Sequence, residues 1–156
     1  MTHEDFMRRA IAISREQMNA NGDAPFAAVI VKDGEIVGEG CNQTLTDFDP
    51  TAHGEVVAIR DACRRLGTWD LSGCTLYTSC EPCEMCVAAM FWARIDKLYY
   101  GNTLADCANL GYVLTPLSDL VTRPCSEGAL AGERILGPEA HKVFEEWREH
   151  PNFDTL

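Results

Sequence analysis

Apolar side chains recur at helical spacing from residue 4 to residue 20: Phe6, Ala10 and Ile13 share one stripe, with Gln17 at its end. Thr2 and, three residues on, Asp5 supply a capping pair, and Asn21-Gly22-Asp23 ends the segment. The period then changes. Phe26 to Val31 is apolar at every position, which predicts a central strand. Asp33-Gly34 is a hairpin turn signal, and Glu35 to Cys41 returns as a second strand. Asn42 to Pro50 is a polar loop. The next helix is expected to start at Asp49 or Thr51 and run to about Leu66, with Val56, Ile59, Cys63 and Leu66 as its buried stripe and Gly67 as its stop. Cys74 to Ser79 reads as a short strand. Pro82 suits the first turn of a helix that carries Cys83, Cys86, Met90 and Ala93 along one line, and Lys97 to Tyr100 reads as another strand. Residues 101–137 give only a short helical signal, Leu104 to Asn109, and loop glycines at 128, 132 and 137. Pro138 opens a last helix with Ala140, Val143, Phe144 and Trp147 on one face, and Pro151 ends it.

The order helix, hairpin, helix, strand, helix, strand predicts an α/β fold. A strand–helix–strand unit favours parallel pairing with a right-handed crossover. The hairpin adds an antiparallel pair, giving a mixed sheet between layers of helices. A length of 156 residues suits one domain, 1–156, able to bury roughly 70% of its unfolded surface. No run approaches the ~18 apolar residues of a membrane span. His3, Glu4 and Asp5 ahead of Phe6 are unlike a signal peptide, so a cytoplasmic protein is expected. In that setting the eight scattered cysteines are expected to be mostly free thiols. The net charge of −11 argues against DNA and RNA partners, whose phosphates are bound through Lys and Arg, and favours a small substrate of low charge.

Two short strings carry the chemistry: Thr51-Ala52-His53-Gly54-Glu55 and Cys80-Glu81-Pro82-Cys83-Glu84-Met85-Cys86. Cysteines three apart on a helix share a face, so Cys83 and Cys86 can reach one ion. With His53 they make a three-ligand zinc site, and three protein ligands with an open fourth position is the catalytic arrangement rather than the structural one. A zinc ion lowers the pKa of water toward neutrality, and Glu55, two residues after His53, is placed to carry the proton without ligating the metal. Other readings stay open on the residues alone. Cys80 and Cys83 could form a thiol–disulfide redox pair, Cys80, Cys83 and Cys86 an iron–sulfur site, or the zinc could be structural with a distant fourth ligand.

The His53-Gly54-Glu55 and Pro82-Cys83-Glu84-Met85-Cys86 strings resemble the signature of the zinc-dependent cytidine deaminase superfamily. Residues 25–31, Asn42, Asp49 to His53, Tyr77 to Cys83 and Trp92-Ala93-Arg94 are similar to bacterial guanine deaminases. The resemblance implies a three-layer α/β/α sandwich around a mixed five-stranded sheet, one Zn²⁺ per chain, and a homodimer in which residues 137–156 can be exchanged between protomers. It makes His53, Cys83 and Cys86 the metal ligands and Glu55 the proton shuttle, and gives Asn42, Phe26 and Trp92 contacts with the base. The implied reaction is conversion of guanine to xanthine and ammonia. Cytosine or a related aminated heterocycle or nucleoside remains an alternative, with tRNA adenosine deamination behind it. Three departures keep the base open: Gly54 stands where guanine deaminases usually carry Ala, Gly111-Tyr112-Val113-Leu114 replaces an acidic string, and the chain ends in Leu156 rather than an aromatic residue.

Overall fold

The computed structural model describes residues 1–111, 121–122, 124 and 132–151. The chain divides into two units, Met1–Thr115 and Pro116–Leu156. In the first, α1 (His3–Asn21) precedes the hairpin β1 (Ala27–Lys32) and β2 (Glu35–Cys41). Then come α2 (Gly54–Leu66), β3 (Thr75–Cys80), α3 (Glu84–Trp92), β4 (Lys97–Asn102) and α4 (Leu104–Asn109). In the second, α5 (Gly137–Arg148) buries none of its residues. The expected last helix is therefore present, while the face of Val143 and Phe144 stays exposed.

The sheet order is β2-β1-β3-β4. β1 is antiparallel to both neighbours, and β3 pairs with β4 in parallel. The mixed sheet and the central place of β1 agree with the sequence pattern. The strand count is corrected: among the described residues the sheet has four strands, not five. After Asn102 the chain leaves the sheet, because Thr103 and Asp106 form a capping box that starts α4.

Alternation along β1 builds the layers. Ala27, Val29 and Val31 pack with Phe6, Ala10 and Ile13 of α1 on one face. Ala28 and Ile30 pack on the other face with Ala58 and Ala62 of α2 and Met90 of α3. An apolar run on both faces is thus what a strand covered by helices on each side requires.

The buried stripe of α2 differs from the expected one: Gly54, Glu55, Ala58 and Ala62 are buried, with Ile59 and Cys63 at its flank. Small residues win because α2 lies almost in contact with the β2 backbone. A Cβ on Gly38 would stand 2.7 Å from the Ala58 carbonyl oxygen and from Ala62 Cβ. A Cβ on Gly40 would stand 2.5 Å from the Gly54 carbonyl oxygen. Both glycines lie on the same face of β2, so together they set the depth at which α2 sits. Gly40→Ala should therefore push α2 outward and cost about 1–3 kcal/mol of stability. Urea unfolding monitored by circular dichroism would measure this, and an unchanged midpoint would contradict the close packing.

Candidate active site

His53 and Cys83 occupy the N-cap positions of α2 and α3, and neither side chain caps its own helix. This corrects two expectations. Asp49 and Thr51 do not start α2; Asp49 instead accepts hydrogen bonds from the Thr51 N–H and hydroxyl, closing a turn ahead of the helix. Pro82 precedes the α3 N-cap rather than lying in the first turn. The imidazole and the thiol are turned toward one point between the two helix starts. His53 Nδ1 lies 3.6 Å from Cys83 Sγ and 3.5 Å from Cys86 Sγ, and the two sulfurs are 3.7 Å apart.

Those separations fit a metal. Tetrahedral zinc with bonds of about 2.0 Å to nitrogen and 2.3 Å to sulfur places donor atoms roughly 3.5–3.8 Å apart. His53, Cys83 and Cys86 also form the one group of three such ligands among the described residues. The soft N/S₂ donor set suits zinc and provides only three protein ligands.

Protonation in the cluster is strongly coupled. Cys83 is drawn down to about 4, chiefly by its hydrogen bond with Cys86 and then by His53, against the effect of burial. Cys86 moves up, because the same sulfur contact, burial and the Glu55 charge all oppose a second negative charge. A first negative charge is thus favoured on Cys83 and opposes a second on Cys86. His53 is raised, mainly through its hydrogen bond with Cys83, with burial opposing.

Glu55 lies in the first turn of α2 and is 5% exposed. Its Oε1 accepts a hydrogen bond from the Thr78 hydroxyl at 3.0 Å, and its Oε2 lies 3.4 Å from Cys86 Sγ. The carboxylate is thereby held beside the ligand cluster. Thr78 escaped the sequence reading. Its signal was the strand period: Leu76, Thr78 and Cys80 share a face of β3, the face toward α2 and α3.

A cavity opens on the cluster, lined by Phe26, Asn42, His53, Glu55, Glu81 and Cys83 and closed at one side by Cys80, Leu104 and Cys107. The structure therefore brings Phe26 and Asn42 to the same space as Glu55. The Asn42 N–H donates to the Phe26 carbonyl at 2.7 Å, and the Asn42 amide oxygen accepts from the Thr44 N–H and hydroxyl. The amide nitrogen is left as the donor end of that side chain. Trp92 is not among the lining residues and is 75% exposed. Helical rotation accounts for its exposure: with Cys86 and Met90 facing inward, a residue two places after Met90 points away from the core.

Glu81 and α4 were also missed as parts of the site. The Glu81 N–H donates to the Asn102 carbonyl, and Glu81 Oε2 accepts from the Leu104 N–H at 2.9 Å. The segment that bears Cys83 is thus tied to the helix that forms the opposite wall. Gly54 has a packing explanation, since a Cβ there would stand 2.7 Å from the Phe26 carbonyl oxygen. Of the Gly111 to Leu114 string, residues 112–114 lie outside the described residues, as do Cys125 and Leu156.

The family described as cytidine and deoxycytidylate deaminase zinc-binding region matches residues 1–102. The guanine deaminase of Bacillus subtilis is 42% identical over 97% of this chain and 97% of its own. Its crystal structure superposes with a TM-score of 0.91 over the same 97% of each chain. The structure of guanine deaminase from Nitrosomonas europaea gives a TM-score of 0.67 at 29% identity, over 70% of this chain and 64% of that one. A tRNA-specific adenosine deaminase of Aquifex aeolicus is 42% identical over 64% of this chain and 66% of its own.

The raised His53 and Cys86 values fix the sign of a pH effect. Both groups keep their protons to higher pH than usual, and a metal must displace them, so zinc affinity should rise with pH. Each proton released corresponds to about tenfold in affinity per pH unit. Competition with a chromogenic chelator between about pH 6 and about pH 8 would read it, and a flat profile would exclude these ligands.

Proposed function

The chain belongs to the cytidine and deoxycytidylate deaminase family, in which it is a homologue of guanine deaminase, and from that membership we propose that it hydrolyses guanine to xanthine and ammonia. The observation that carries this reading is similarity to a guanine deaminase over nearly the whole of both chains, where the tRNA-specific relative matches over about two thirds. The acidic charge of −11 argues in the same direction, against a polyanionic substrate.

His53, Cys83 and Cys86 would hold one zinc ion per chain. When bound, zinc supplies Lewis-acid activation of water near neutral pH. Glu55 is the proton carrier. Its carboxylate takes one proton from the attacking water and hands it to the ring nitrogen beside the amine-bearing carbon; it then takes the second proton of that oxygen, now a hydroxyl on the carbon, and gives it to the departing amine, so that ammonia leaves and a carbonyl remains. Thr78 fixes one Glu55 oxygen and leaves the other beside the ligand cluster. Asn42 offers its amide N–H₂ to an acceptor on the base. Phe26 lies against the ring and helps to exclude water from it.

A cytoplasmic homodimer, with residues 137–156 exchanged, completes the proposal. Support comes from two uncovered apolar surfaces: Val87, Phe91 and Trp92 are exposed on α3, and Val143 and Phe144 on α5.

An ammonia-release screen of guanine, cytosine, adenine, guanosine and cytidine with zinc-loaded protein tests the reaction. Guanine is expected to be the preferred substrate. Turnover of cytosine without guanine would replace the base, and silence toward all of them would overturn deamination. Glu55→Gln should retain zinc yet lose about 10²- to 10⁴-fold in kcat, the range for a displaced general acid–base group. Retained turnover would remove Glu55 from its role.

A further inference from the structure

Cys80 ends β3 and Cys107 lies in the second turn of α4. Their sulfurs are 3.2 Å apart. Both side chains are buried, and both line the cavity that contains His53, Glu55 and Cys83. The deamination chemistry uses neither. The pair is not part of the three-ligand group, so the metal does not account for it. Its backbones are held in register by neighbouring bonds: the Asn102 amide donates to the Ser79 carbonyl at 3.2 Å, and Glu81 receives the Leu104 N–H. Two thiols in contact, on two elements already tied together, form the geometry from which a disulfide closes with an approach of about 1.1 Å.

We propose that Cys80 and Cys107 form a redox site. A peroxide entering the cavity converts them to a Cys80–Cys107 disulfide, which switches turnover off until a thiol reductant reopens it. One cysteine, as its thiolate, attacks a peroxide oxygen. The O–O bond breaks, hydroxide leaves and becomes water, and a sulfenic acid remains. The second sulfur displaces that hydroxyl group, the S–S bond forms, and a second water is released. Two S–H bonds and one O–O bond are exchanged for one S–S bond and two O–H bonds. The cysteines give up two electrons and the peroxide accepts them.

Burial, and then the contact with Cys107, push the Cys80 thiol up to about 12. The thiolate is therefore scarce at neutral pH, oxidation is slow, and it quickens in alkali. Such a site responds to sustained oxidant rather than to a brief pulse, and in a reducing compartment it returns to thiols. Its effect on turnover rests on the deaminase reading. Closing the disulfide draws the α4 wall, with Leu104, toward the end of β3. A shift of about 1 Å in a substrate-positioning wall can cost on the order of 10²-fold in rate.

The test exposes reduced, zinc-loaded protein to hydrogen peroxide, then reads peptide mass maps, zinc content and ammonia release on the same samples. The expected result is loss of the mass of two hydrogen atoms, a peptide pair joining Cys80 to Cys107, and retained zinc. Turnover should fall by about 10- to 100-fold and recover with dithiothreitol. In Cys107→Ala the ratio of treated to untreated turnover should stay near one, and Cys80→Ser supplies the same comparison if that variant folds poorly. Absence of the Cys80–Cys107 link, crosslinks confined to Cys83 or Cys86 with zinc loss, or a linked protein with unchanged turnover would each overturn the proposal. Mass and zinc readouts need no substrate. A protein silent toward every base before oxidation would therefore sink the deaminase reading, while the crosslink would still be judged.

Discussion

Two helices begin at one place, and the rest of the site depends on it. α2 and α3 bring their N-termini together so that His53 and Cys83, each the first flanking residue of its helix, face one another across a gap the size of one ion. Helix starts leave N–H groups unpaired and carry partial positive charge, which favours a thiolate there. Neither N-cap side chain bonds to its own helix. Local helix stability is given up at both positions, and the two side chains are released to a common centre.

The convergence is enforced by backbone contacts that involve none of the ligand side chains. Gly38 and Gly40 let α2 lie against β2, and Gly54 lets its first turn lie against the Phe26 backbone. The same close approach leaves Glu55 buried under Thr78 instead of reaching into solvent. The parallel β3–α3–β4 unit then returns the chain through Asn102, so that α4 becomes the far wall of the cavity. Strand ends, helix starts and small residues thus act together. An enlarged side chain at any of the three glycines would meet backbone and move Glu55 relative to the metal ligands.

Much of this was legible in the residues. Phe26 to Val31 announced a central strand, Asp33-Gly34 its hairpin, and the His53, Glu55, Cys83, Cys86 set a single centre. The burial of α2 was not legible, because hydrophobicity pointed to Val56 and Ile59 while the deciding quantity was the closeness of the Gly38 and Gly40 backbone. Thr78, Glu81 and Leu104 were hidden for a related reason. The strand period gives Thr78 its face, but its bond to Glu55, the bond between Glu81 and Leu104, and the cavity wall are tertiary, and no local period encodes them. The exposure of Trp92 was not legible either, because it follows from the phase of α3, which turns Cys86 and Met90 inward.

His53 and Cys83 are separated by 30 positions along the chain. An ion bridging them does more than chemistry, because it clips shut a long loop of polypeptide. By loop-closure estimates, a clip over that span removes about 3.5 kcal/mol worth of freedom from the unraveled chain. Nutritional zinc scarcity would then lower the abundance of this protein as well as its activity, with starved copies passing to the proteolytic machinery.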